Sequence, residues 1–491
     1  MPISSYPHPS KSAMTNSQEA PCHVFLVCYP GQGHINPTLR LAKKLAAEGL
    51  LVTISTAVHF GKTLQKAGSI GAGDCPTPVG NGFIRFEFFE DGLQELNPKD
   101  VNLERVVYQI ELFGRPSLAG LIKNQTAENR PVSCLIVNPF LPWTCEVAKE
   151  LEIPCAILWV QSCAVFSIYY HCFHKSVPFP SELEPKIDVQ LPIMSLLKND
   201  EIPSFLHPNN IYGVLGNVLL SQFSKLSIPF CILMDTFDEL EKDIINYISK
   251  IIPLKPIGPL FLNPQNLETE VSGDCLKAED CMEWLNSKPP QSVVYVSFGS
   301  IVHLKQEQIN ELAYGLCNSG FSFLWVMKPP DDVYGLKGHV LPEGVMEKAG
   351  ERGKVVQWSS QERVLSHESV GCFMTHCGWN SSVEAIGTGV PVVAFPQWGD
   401  QVTNAKFLVE DYGVGVRLSR GAEANELISR DEIVRCISEV MTRDGSGGEF
   451  RRNGLKLKQA AAAAVVDGGS SHHNIQEFVD EIKKRCLRGE F

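Results

Sequence analysis

The chain has 491 residues, of which 44% are hydrophobic and 20% charged, with a formal net charge of −12 at pH 7. Such a length predicts two large domains rather than one. The acidic balance argues against nucleic acid or an anionic membrane surface as partner, so an anionic ligand has to be held by local donors. Sixteen cysteines are present, many inside apolar runs such as CAILWVQSC and GCFMTHC, and none in paired C-x-x-C sites. They read as small core residues of a protein in a reducing, cytoplasmic compartment. No run approaches the ~20 apolar residues of a membrane span. Residues 1–20 are polar, without an apolar signal core, and are expected to be a disordered tail.

In chain order, His23 to Cys28 reads as a strand, PGQGHINP as a loop and TLRLAKKLAAEG as a helix. Asn36 is the expected N-cap of that helix, Pro37 its first residue and Gly49 its stop. LLVTIST then returns as a strand, which completes a β-α-β unit of a parallel sheet. CLIVNPF, TCEVAKELEI and CAILWV continue the alternation. Polar, Pro- and Gly-containing residues 261–275 form the expected linker. A second series of strands and helices runs from SVVYVSFGS through FLWVMK, KVVQW, GCFMTH and PVVAFP, and the chain ends in helix. The prediction is α/β: two Rossmann-like doubly wound domains facing across a cleft, residues 21–260 and 276–470. A C-terminal helix over 471–491 is expected to pack back on the first. Ligands of such sheets bind outside the carboxyl ends of the strands.

Residues 358–401 concentrate the groups a ligand needs. Trp358 ends a predicted strand and offers a flat face, although a half-buried core tryptophan has the same signature. Thr375, His376, Cys377 and Gly378 form a turn, and Trp379 to Ser382 open a helix. Free N–H groups and the helix dipole favour phosphate there, and Gly378 permits close backbone approach. Ser381 and Glu384 have capping-box spacing, which accounts for both without a ligand. Asp400 and Gln401 can bind adjacent hydroxyls or cap the helix that follows.

This stretch resembles the signature box of plant family-1 glycosyltransferases, which bind a UDP-sugar donor. The resemblance implies a GT-B architecture with uracil stacked on Trp358. It places the Ser359 backbone on uracil and Gln361 on the ribose side. Around the diphosphate it sets His376, Gly378, Trp379, Asn380 and Ser381, with Ser300 as a further phosphate contact. It gives Glu384 to the ribose hydroxyls and Asp400 and Gln401 to the sugar; a terminal Gln is similar to glucose users. No D-x-D triplet occurs, and neither a metal nor a cofactor beyond the UDP-glucose donor is expected.

PGQGHINP resembles the catalytic loop of the same family, with His34 as the base that accepts a hydroxyl proton. By residue type alone, His34 also fits a structural loop histidine. The glycines at 31 and 33 do not complete a dinucleotide fingerprint, since the third position is Asn36. The family usually orients this histidine with an Asp, but in VNPFLPW the position is Asn138. A phenol, with a pKa near ~10, needs its proton removed, whereas a carboxylic acid, near ~4, is already ionised at neutral pH. His34 would then position the carboxylate, even as imidazolium. HVFLVCYPGQGHINPTLRLAKKL, FFEDGL, NPFLPW and CAILWVQSCAVFSIYYH are similar to the branch of plant glucosyltransferases that makes glucose esters of aromatic acids such as hydroxycinnamates, benzoates and gallate.

An inverting UDP-glucose-dependent ester-forming enzyme is therefore expected, monomeric, with a small aromatic acceptor. An O- or C-glucosyltransferase of phenols and a non-catalytic UDP-sugar-binding protein are the alternatives. Phe140, Trp143, Trp159 and Phe166 are candidates for the acceptor pocket, though each also fits the core. Gln161 or Ser162 is a candidate contact of the sugar 6-hydroxyl.

Overall fold

The structure is a computed structural model that describes residues 22–71, 75–95, 102–210, 212–262, 271–328, 338–419 and 427–488. The expected tail over 1–20 and the middle of the expected linker, 263–270, lie outside the described residues. Eight strands form the first sheet: β1 (His23–Val27), β2 (Leu51–Ala57), β3 (Thr77–Val79), β4 (Gly82–Phe89), β5 (Val132–Val137), β6 (Cys155–Trp159), β7 (Cys231–Met234) and β8 (Leu254–Pro256). Their spatial order is β3-β4-β2-β1-β5-β6-β7-β8, parallel except for the β3–β4 pair. The second sheet has β9 (Val293–Ser297), β10 (Ser322–Val326), β11 (Gly353–Val356), β12 (Val370–Thr375), β13 (Val392–Ala394) and β14 (Gly415–Arg417). It is fully parallel, in the order β11-β10-β9-β12-β13-β14.

Side chains alternate across a strand, so a sheet covered by helices on both faces needs apolar residues at every position. In β1, Phe25 and Val27 enter one apolar cluster while Val24 and Leu26 enter another on the opposite face. In β9, Val293 and Tyr295 are separated from Val294 and Val296 in the same way. The helix Ser470–Arg488 sets Phe478, Val479 and Ile482 into the cluster of Val24 and Leu26, and therefore packs on the first sheet.

Strand order reverses beside β1, between β1 and β5, and beside β9, between β9 and β12. Such switch points open a crevice at the carboxyl ends of the strands. The crevice of the first sheet is flanked by His34 and Asn138, which follow β1 and β5. Ser300 and His376, which follow β9 and β12, flank that of the second.

Two local expectations are corrected. The first long helix starts at Gln32 and runs to Ala47, with Gly31 as N-cap, so His34 sits in its first turn and Pro37 inside it. The Gly31 carbonyl accepts from the N–H groups of His34 and Ile35, each at 3.0 Å. Pro37 cannot donate to the Gly33 carbonyl, but that oxygen accepts instead from Asn380 Nδ2 at 2.8 Å. A partner from the second half of the chain thus makes a mid-helix proline tolerable. The second correction is that β11 ends at Val356, so Trp358 lies beyond the strand end.

Candidate active site

The helix Trp379–Thr388 begins after Cys377, whose φ of 63° turns the chain sharply off β12. Its N-cap is Gly378, with no side-chain cap. The expected Ser381–Glu384 capping box does not form, because Ser381 is three residues past the cap. Its hydroxyl accepts from Gln361 Nε2 at 2.8 Å, and Glu384 Oε2 accepts from the same nitrogen at 2.7 Å. The amide donors at this helix start therefore keep their free direction, as an anion site needs.

His376 is wedged between two glycines. A Cβ on Gly299 would lie 2.6 Å from its ring, and one on Gly378 would lie 2.5 Å away. Burial, with Lys328 as a nearby positive charge, lowers the His376 pKa to about 4, so the ring is neutral. Its Nδ1 is buried without a hydrogen-bond partner, as are Asn380 Oδ1 and Gln161 Oε1. Native proteins rarely leave such atoms unsatisfied, and those that exist call for a ligand or another explanation.

Trp358 is held on edge by Asp274, whose carboxylate accepts from its indole Nε1 at 3.1 Å. Ser359 is buried with its hydroxyl 3.1 Å from Tyr295 Oη, which also donates to Gln361 Oε1 at 3.3 Å. The Ser300 carbonyl accepts from Lys328 Nζ. Arg40, from the first helix, binds both Glu384 and Glu362.

Asp400 Oδ2 accepts from Asn404 Nδ2 at 2.8 Å, and the same amide donates to the Cys377 carbonyl at 3.0 Å. Burial raises the Asp400 pKa against the lowering effect of hydrogen bonds from Asn404 and Gln161. Gln161, after β6, is thus brought to the carboxylate from the other sheet. Gln401 Oε1 accepts from the backbone of Gln397 at 2.9 Å and Trp398 at 3.3 Å, which fixes its amide. Asp400 makes no side-chain cap.

Across the cleft, Asn138 is 1% exposed and touches His34: its Nδ2 lies 3.1 Å from His34 Nδ1. Its Oδ1 accepts from the Phe140 N–H at 3.0 Å. Tyr29 and Phe140 flank the imidazole, with ring centroids 5.0 and 4.9 Å away. Burial among these rings lowers the His34 pKa to about 4, which disfavours an imidazolium.

A family model described as UDP-glucoronosyl and UDP-glucosyl transferase matches residues 239–444. The chain is 57% identical over 469 residues to a gallate 1-beta-glucosyltransferase of Punica granatum, covering 96% of this chain and 90% of that one. The chain belongs to the UDP-glucosyl transferase family. A cinnamate beta-D-glucosyltransferase of Fragaria ananassa is 54% identical over 467 residues, 95% of this chain and 83% of that one. Among solved structures, Os79 from O. sativa in complex with UDP superposes with a TM-score of 0.81 at 30% identity, over 94% of this chain and 100% of that chain.

Four residues that contact the candidate site of this UDP-glucosyl transferase escaped sequence reading: Arg40, Asp274, Tyr295 and Asn404. Only Asn404 had a signal, since it lies one helical turn from Asp400 and faces the same way. Of the aromatic candidates, Phe140 adjoins His34, while Trp143, Trp159 and Phe166 are buried in the core of the first sheet. Trp159 and Phe166 meet edge to face at 5.0 Å.

Ser162 has a structural occupation. Its hydroxyl accepts from the Val165 N–H at 3.1 Å and caps the helix Cys163–Phe173. Ser162→Ala is expected to lower stability by about 1 kcal/mol, the usual loss for a cap, while Ser162→Gly loses only a few tenths of that order. Urea denaturation checks this; unchanged stability paired with a raised KM for UDP-glucose would assign Ser162 to the sugar.

Proposed function

We propose that this protein is an inverting UDP-glucose-dependent glucosyltransferase that makes β-glucose esters of aromatic carboxylic acids. The observation that carries the reading is the Asn138 amide, not a carboxylate, against His34 Nδ1. No negative charge waits to stabilise an imidazolium, so an acceptor that arrives ionised suits the site best. The names of the relatives, which specify gallate and cinnamate, agree with it.

In this mechanism the acceptor carboxylate attacks C1 of the glucose from the face opposite the leaving group. The bond from C1 to the diphosphate oxygen breaks, and UDP departs with its electron pair. Charge on the leaving diphosphate is taken by the N–H groups of Trp379, Asn380 and Ser381 and by His376 and Ser300, aimed where that charge develops. We assign this work to protein donors and not to a divalent cation.

Trp358 stacks the uracil, with the Ser359 backbone and Gln361 beside it. Glu384 accepts from the ribose hydroxyls on lone pairs that Arg40 and Gln361 leave over. Asp400 and Gln401 hold the glucose hydroxyls, with Gln161 against Asp400. Residues 21–260 serve the acceptor and 276–470 the donor, with the terminal helix returning to the first unit. Among the described residues no helix is long and apolar enough to cross a membrane. All sixteen cysteines are free, which supports a reducing cytoplasm as the compartment, and we take the working form to be a monomer.

Incubation of the purified protein with UDP-glucose and a panel of aromatic acids and phenols tests the reading. The expected product is cleaved by mild alkali, as an ester is. An alkali-stable glucoside as main product makes the enzyme a phenol O- or C-glucosyltransferase, and UDP-glucose binding without turnover makes it a binding protein.

A further inference from the structure

The Asn138–His34 contact determines more than the loss of a charge. The Phe140 backbone N–H is a donor only, and it points at the Asn138 carboxamide 3.0 Å away. The oxygen of that carboxamide must therefore face Phe140, which turns the NH2 group to His34 Nδ1 at 3.1 Å. An NH2 group has no acceptor capacity. Nδ1 must then be the lone-pair nitrogen, and in the neutral ring the proton sits on Nε2.

An Asp at this position would do the reverse: it would accept from Nδ1–H and leave Nε2 as the basic atom, the arrangement a general base needs. We propose that Asn138 inverts the tautomer of His34, so that the imidazole presents Nε2–H to the acceptor carboxylate as a hydrogen-bond donor and takes no proton from it.

This rests on the ester-forming reading above and specifies how His34 serves it. The step balances without proton transfer. The carboxylate oxygen forms the bond to C1, the C1–O bond to UDP breaks, and the Nε2 proton stays on the ring. A phenol acceptor has no route through the same ring, because its proton would have to go to a nitrogen already protonated. Asn138 is thereby a positioning residue that selects acids over phenols through the tautomer, before any difference in pocket shape. Burial among Tyr29 and Phe140 keeps the ring neutral, which preserves the distinction between its two nitrogens.

Long-range proton–nitrogen correlation NMR on the 15N-histidine-labelled full chain tests this directly, with the His34 signals assigned by their loss in His34→Gln. The expected result is a protonated Nε2 and an unprotonated Nδ1 in the wild type, and the opposite pattern in Asn138→Asp. In the same variant the ratio of phenol to carboxylate kcat/KM is expected to rise by about 10²-fold, the lower end of what a positioned general base contributes. A wild-type His34 protonated on Nδ1 overturns the proposal, whether or not Asn138→Asp folds. An alkali-stable main product overturns the ester reading instead, whatever the tautomer, so the two failures are separable.

Discussion

Arg40→Met is expected to lower the unfolding free energy by about 3–5 kcal/mol, the loss typical of a buried ion pair deprived of one partner. The guanidinium binds Glu384, whose side chain is only 4% exposed, and Glu362 at the rim. Burial raises the Glu384 pKa, and Arg40 is the largest influence pulling it back down. Without Arg40 the carboxylate stands as a charge in the interior, aided only by the Gln361 amide. A carboxyl whose folded pKa lies above its unfolded value adds stability when protonated and loses it as pH rises through the folded pKa. The deficit of Arg40→Met should therefore shrink on acidification. Adding Glu384→Gln should restore much of the stability at neutral pH. Urea unfolding of the two variants at two pH values checks all three statements, and a loss below 1 kcal/mol would show that the contact is solvated and unimportant.

His376→Ala is expected to reduce kcat by about 10²–10³, the range found when one preorganised donor to developing charge is removed. The ring is held in place by Gly299 and Gly378, where a Cβ would lie 2.6 and 2.5 Å from it. The protein also keeps it neutral, with a pKa of about 4, so the expected action is one oriented hydrogen bond and not that of a cation. The effect should consequently be insensitive to salt and flat between about pH 6 and pH 8. Steady-state kinetics with UDP-glucose in excess measure it, and a kcat within a few-fold of the wild type would remove His376 from the diphosphate site.

Much of this arrangement was legible in the residues. Apolar strands followed by Gly, Ser, His or Asn at their carboxyl ends mark the crevices of two parallel sheets, and the structure gathers the residues from Trp358 to Gln401 beside the second. What was not legible depends on partners distant in sequence. The start of the first helix at Gln32 defies the proline rule because Asn380, far along the chain, replaces the missing donor. The S-x-x-E spacing at Ser381 matched a capping box, but the N-cap of the helix that opens at Trp379 is Gly378, and both side chains find Gln361 instead. Arg40 lies in TLRLAKKL among residues of a polar helix face, where nothing local separates a buried cation from a solvated one. Ser162 carries a hydroxyl that suits a sugar contact or a helix cap equally; it accepts from the Val165 amide and donates to Asn404 Oδ1 at 3.4 Å, partners that local sequence does not announce.

The proline in the first helix has a mechanical side. A helix with alanine at position 37 would satisfy the Gly33 carbonyl within itself. With proline the oxygen is left outward and is taken by Asn380, at the start of the helix Trp379–Thr388. The turn that carries His34 and the turn that opens the helix Trp379–Thr388 are thereby tied through one bond, worth about 0.5–1.5 kcal/mol net. Such a tether fixes the register of the first turn of one helix against the first turn of the other, with the strength of a single ordinary hydrogen bond.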